Sequence, residues 1–127
     1  MAPVIRLDTH VVVWLYTGET ERLSRDAIES IESSSPVVSP IVQLELTFLN
    51  DIGRLSVTGA DIIGDLRDRI GLELSDASMA SVVRAAEPLG WTRDPFDRMI
   101  VADALVAAAH LMTKDHLILQ NVGIARW

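Results

Sequence analysis

The sequence predicts an α/β fold in which a parallel sheet is covered by helices on both faces. Three observations predict it. Short apolar runs of strand length alternate with longer helical stretches along the chain. Ser39-Pro40 and Asp94-Pro95 each read as a helix N-cap with proline at the first helical position. The length of 127 residues, 49% hydrophobic, suits one domain, residues 1–127, with a real core.

In order, Val4-Ile5-Arg6-Leu7-Asp8 is a short, mostly apolar strand ending in an acid. His10 to Tyr16 continues as a helix, with Thr9 near its start and Gly18 just past its end. Leu23-Ser24 opens a second helix through Glu32, and Ser33-Ser34-Ser35-Pro36 reads as a loop. Val37-Val38-Ser39 is a strand, and the third helix runs from Pro40 to about Asn50. Thr58-Gly59-Ala60-Asp61 opens a fourth helix to about Ile70, followed by the strand Gly71 to Leu74. Asp76 or Ser78 caps a fifth helix to about Glu87, ended by Pro88-Leu89-Gly90. A sixth helix starts at Asp94-Pro95 and is almost wholly apolar from Met99 to Ala109, broken only by Asp103. It feeds the strand His110 to Thr113, and the tail carries a short edge strand around Ile124-Ala125-Arg126.

This layout gathers acids. A helix feeding a parallel strand runs antiparallel to it, so it starts at the sheet edge where that strand ends. Asp97, in the first turn of the sixth helix, and Asp115, just past the fourth strand, therefore reach one edge. Singly, each has an ordinary account: an acid favoured by the helix dipole, and a turn residue. Asp8 ends the first strand, at the edge where open α/β sheets bind ligands. Glu45 has Ile41, Val42, Phe48 and Leu49 as helical neighbours and lies away from the polar stripe of Gln43 and Thr47. A carboxylate there is desolvated and needs either an arginine or a metal. Four converging carboxylates call for a cation. A donor set of oxygens alone selects Mg²⁺ or Mn²⁺ over zinc.

Composition narrows the function. A net charge of −7 argues against broad electrostatic nucleic-acid binding. The chain has no cysteine, and its three histidines lack zinc-like spacing. No apolar run reaches the ~18–20 residues of a membrane span, and no signal peptide is visible, so a cytoplasmic location is expected.

Leu7-Asp8-Thr9-His10-Val11, the lone Glu45, Asp94-Pro95-Phe96-Asp97-Arg98 and Met112-Thr113-Lys114-Asp115 follow one another in the order seen in PIN-domain ribonucleases. Over nearly its whole length the chain resembles the VapC-type toxins of that family. The resemblance implies a five-stranded parallel sheet, a Mg²⁺- or Mn²⁺-dependent endoribonuclease, a homodimer, and a cognate antitoxin through which alone DNA is reached. It implies Asp8, Glu45, Asp97 and Asp115 as the catalytic, metal-holding acids, with Thr9 and Thr113 in support. Arg98 is expected either to contact a phosphate or to serve as a structural arginine. Asp103 is a peripheral acid, or else the partner of an arginine. Trp14, Leu15 and Tyr16 are expected to meet the antitoxin, with Trp14 as a core residue the plainer alternative. His10 could face the cleft, although a lone histidine beside an apolar helix more often reads as structural. Two other functions compete: a Mg²⁺-binding phospho-acceptor signalling domain and a catalytically silent PIN-like binding module.

Overall fold

The computed structural model describes residues 3–127. The chain runs β1 (Val4–Leu7), α1 (Thr9–Thr17), a single 3₁₀ turn (Thr20–Arg22), α2 (Arg25–Glu32), β2 (Ser35–Val38), α3 (Pro40–Asp51) and α4 (Gly59–Ile70). It continues through β3 (Glu73–Leu74), α5 (Met79–Ala86), α6 (Pro95–Ala107), β4 (His110–Met112), α7 (His116–Asn121) and β5 (Ala125–Arg126). The five strands form one parallel sheet in the order β3-β2-β1-β4-β5. In β1, Ile5, Arg6 and Leu7 are all buried although successive side chains point to opposite faces. Both faces of the central strand are therefore covered, as expected for a parallel sheet.

The helix boundaries follow local chemistry. Ser39 and Asp94 cap α3 and α6 with proline behind them, and Thr58 and Ser78 cap α4 and α5. Gly18 and Gly71 close α1 and α4 in the left-handed conformation. Helix α6 stops at Ala107, two residues short of the expected end, because Ala108 turns left-handed with φ 51°. A Cβ on Gly59 would lie 2.5 Å from the Gln43 carbonyl oxygen and 2.8 Å from the Thr47 hydroxyl oxygen. The bare glycine thus lets α4 press against α3 and seat the helix that carries Glu45.

Two parts differ from expectation. Ser35 and Pro36 belong to β2 rather than to a loop. The Ser35 N–H donates toward β1, to the Pro3 carbonyl, so strand alternation turns position 36 toward β3. There β3 pairs only with Val37 and Val38, and the N–H that proline lacks has no strand partner to miss. Helix α7 was not foreseen. Its six residues are too few to show a helical period.

Candidate active site

The sheet register builds the site. Arg6 is level with Val37, Leu7 with Met112, and Met112 with Arg126. Past the strand ends, the same register sets Ser39, Asp8, Thr113 and Trp127 in one row along the carboxyl edge.

Asp8 caps α1 and is buried. Its Oδ1 accepts from the Thr9 N–H at 2.8 Å and its Oδ2 from the Thr113 hydroxyl at 2.6 Å. The Thr113 Oγ1 in turn accepts from the Asp115 N–H at 3.1 Å. The Thr9 hydroxyl donates to Glu45 Oε1 at 2.5 Å. Two buried threonines therefore tie Asp8, Glu45 and Asp115 into one hydrogen-bonded unit drawn from three elements. Asp115 also caps α7, its Oδ1 accepting from the Ile118 N–H at 3.0 Å.

Asp97 joins them from the first turn of α6. Phe96 beside it packs on Phe48 of α3 with ring centroids 5.9 Å apart, which holds the helices carrying Asp97 and Glu45 together. Phe48 is 46% exposed, so Glu45 is half-buried rather than enclosed as its apolar neighbours suggested. No arginine pairs with Glu45 among the described residues.

The electrostatics are one-sided. Burial pushes the Asp97 carboxyl up, and the charges of Asp94, Asp8, Asp115 and Glu45 push it further, to about 7. Burial also raises Glu45 and Asp8, against the hydrogen bonds from Thr9 and Thr113 that favour their ionised forms. Because Asp97 titrates near 7 when folded and near 3.9 when unfolded, the native state binds the extra proton between those values. Unfolding free energy of metal-free protein therefore falls as pH rises across that window. Asp97 alone accounts for about 1–2 kcal/mol of that fall once solvent screening of a half-buried group is allowed for. In EDTA, wild type should melt lower at pH 8 than at pH 5.5, and Asp97→Asn should lose much of that difference. Parallel melting curves for the two proteins would show that Asp97 is not held by its neighbours' charge.

The four acids offer oxygen donors only, and the Asp97 environment favours a positive charge. Among the described residues no three His, Asp or Glu side chains are disposed to hold one ion directly. That arrangement still fits Mg²⁺, which binds one or two carboxylates and keeps several waters.

The other expected residues are placed as follows. Arg98 is tied to the backbone, its Nε donating to the Thr92 carbonyl at 2.7 Å and bracing the loop before α6. Asp103 lies apart from the acids, 2% exposed, with Arg6 Nε 2.7 Å from its Oδ1. Leu15 and Tyr16 are half-buried, and their carbonyls receive the Arg69 guanidinium. Trp14 is half-buried against Trp127. His10 is not a core residue: it is exposed, and its charge is felt at both Asp8 and Glu45. Two neighbours of the site escaped the sequence reading: Ser39 at the row's β2 position, and Trp127, visible only once β5 is registered on β4.

Comparison with known proteins accords with this geometry. The family model of the PIN domain matches residues 5–123. The chain belongs to the PIN domain family. It is 31% identical over 114 residues to ribonuclease VapC22 of Mycobacterium tuberculosis, covering 87% of this chain and 86% of that one. The PIN fold recurs in VapBC2 of Rickettsia felis bound to promoter DNA, with TM-score 0.69, 17% identity and 96% and 95% of the two chains covered. It recurs in a toxin–antitoxin complex from Klebsiella pneumoniae, with TM-score 0.67, 15% identity and 97% and 96% covered. VapBC-1 of nontypeable Haemophilus influenzae also shares it, with TM-score 0.59, 16% identity and 98% and 96% covered.

Proposed function

We propose that this PIN domain is a Mg²⁺- or Mn²⁺-dependent endoribonuclease, the toxin of a toxin–antitoxin pair, inhibited by its cognate antitoxin. The observation that carries the reading is the edge itself: Asp8, Glu45 and Asp115 joined through Thr9 and Thr113, with Asp97 facing them. The identity to a VapC ribonuclease supports the same reaction.

Hydrolysis needs a water oxygen to attack phosphorus and a sugar oxygen to leave. The cation, when bound, supplies Lewis acidity and a water of lowered pKa. Asp8 and Asp97, with Asp115 and Glu45 beside them, would hold it. Thr9 and Thr113 fix the carboxylate orientations, and the Phe48–Phe96 contact fixes α3 against α6. The acids need that bracing because a misplaced ligand misaligns the scissile phosphate.

The antitoxin covers α1 around Leu15 and Tyr16, beside the edge reached through Trp14. The protein forms a homodimer through α3 and α5: exposed Leu44, Phe48 and Ile52 recur at four-residue spacing along α3 and its C-cap, α5 exposes Met79 and Val83, and Leu44 and Met79 line one groove. No described helix is long and apolar enough to cross a membrane, which suits a cytoplasmic toxin.

The test is direct. Purified protein should cleave RNA in Mn²⁺, stop in EDTA, and stop when its antitoxin is added. No cleavage of any RNA in Mg²⁺ or Mn²⁺ sinks the reading. A stable acyl-phosphate would instead favour the phospho-acceptor domain, and failure to bind Mn²⁺ the silent module.

A further inference from the structure

The acid edge is flanked on one side by cations and indoles. Lys114, the chain's sole lysine, is exposed and forms no ion pair among the described residues. Its Nζ lies 5.9 Å from the Trp14 ring centroid and 6.0 Å from that of Trp127. The two indoles meet edge-on with centroids 6.1 Å apart. Arg22 lies over Trp14 at 5.8 Å, and His10 stands 6.0 Å from the same ring. In a chain of charge −7, Lys114 thus bridges two half-buried indoles, while Arg22, itself paired with Glu19, and His10 lie beside Trp14 alone.

Their position relative to the acids is fixed by topology. Lys114 immediately precedes Asp115, and His10 is near enough to Asp8 and Glu45 for its charge to act on both. Trp127 follows β5 in the row that holds Thr113 and Asp8. It is two strands from Asp8, about 10 Å at the usual ~4.8 Å strand spacing.

Core packing accounts for the buried parts of the indoles, but not for the solvent-exposed ammonium over both rings. Both indoles are only partly buried, and the exposed ammonium, once displaced, leaves a ring face to solvent. Such a face stacks any nucleobase, and a cation beside it holds the adjoining phosphate. From this we infer that Trp14, Trp127 and Lys114 form a nucleotide-binding subsite for single-stranded RNA, one that seats a base next to the scissile phosphate. A base displaces the ammonium from the indole corner, and Lys114 moves onto the phosphate. The subsite gives an acidic protein the local positive charge and apolar surface that polyanion binding requires. It rests on the nuclease reading above, since that reading makes RNA the substrate of the neighbouring acids.

The experiment separates the two. Affinity for a fluorescein-labelled single-stranded RNA is measured by anisotropy in Mg²⁺, in an Asp97→Asn background that prevents cleavage. Trp127→Ala should raise Kd about tenfold, and Lys114→Ala should lower the slope of log Kd against log salt by about 0.7. In the cleaving protein, both changes should raise KM more than they lower kcat. Because Trp127 packs on the core, its variant is first checked by melting; if it fails to fold, the exposed Lys114→Ala decides alone. Unchanged Kd and salt slope in folded variants overturn the subsite even if RNA cleavage is normal. Unchanged RNA affinity with weakened antitoxin affinity assigns the surface to a protein partner and overturns it too. Absence of cleavage with RNA affinity still dependent on Lys114 and Trp127 overturns the nuclease reading and keeps the subsite.

Discussion

Asp97→Asn should abolish RNA cleavage, by at least ~10²-fold in rate, while the protein stays folded. The magnitude follows from the cost of removing one group that stabilises the transition state. Asp97 is the acid whose removal separates function from stability most cleanly. Asp8, Glu45 and Asp115 each accept a hydrogen bond from the protein, so changing them also disturbs the framework. Burial and four neighbouring acids all act to raise the Asp97 pKa. Its ionised form is therefore opposed by the apo protein and favoured only by a cation. The asparagine variant should accordingly melt at or above wild type in EDTA at pH 7 and gain less from added Mn²⁺. Saturating metal at ~100 times its dissociation constant adds roughly 2.7 kcal/mol to wild type by mass action. Asp8→Asn should lose cleavage as fully but also melt lower, because only the amide oxygen accepts, so one of the bonds from the Thr9 N–H and the Thr113 hydroxyl is lost. Normal cleavage by folded Asp97→Asn protein would remove Asp97 from the mechanism.

The acids were legible in the sequence because Asp8 and Glu45 break rules a surface residue keeps, and the element layout carries Asp97 and Asp115 to the same edge. Asp94-Pro95 fixed the start of α6 and hence the position of Asp97. The run Thr113-Lys114-Asp115 placed a second acid where β4 ends. Glu45 stood out among apolar neighbours, although one of them, Phe48, turned out to face solvent and stack on Phe96. The hydrogen bonds between the acids were not legible. The Thr9–Glu45 contact depends on how α3 crosses α1, and the Thr113–Asp8 contact on the pairing of β4 with β1. Trp127 was missed, and the choice between a cleft-facing and a structural His10 was left open, for the same reason. Nothing local marks a side chain as lying beside an edge formed by strands distant in sequence. Arg98 shows the converse: it follows Asp97 directly, yet its guanidinium is drawn back to the Thr92 carbonyl.

Asp103→Ala should cost about 3–5 kcal/mol of stability and leave the catalytic rate of the folded protein unchanged. Asp103 is the single acid inside the apolar run of α6, and sequence allowed it either a peripheral role in the acid site or an arginine partner. The structure pairs it with Arg6 of β1 at 2.7 Å, both groups buried. Arg6 also donates to Ser75 at 3.4 Å, so its guanidinium spans from α6 to the segment after β3. Removing Asp103 leaves that guanidinium buried without a counter-charge, and desolvation makes such a charge far more costly than the pair itself. For a chain of this size the loss corresponds to roughly 10–20 °C in Tm. Replacing both partners together, Arg6→Met with Asp103→Leu, removes both desolvated charges and should recover most of the loss. RNA cleavage by the double variant, measured below its Tm, should keep the wild-type kcat, because neither side chain touches Asp8, Glu45, Asp97 or Asp115. A double variant that melts like wild type but cleaves tenfold more slowly would return Asp103 to the acid site. The pair would then orient α6, and with it Asp97, rather than only hold the helix to the sheet.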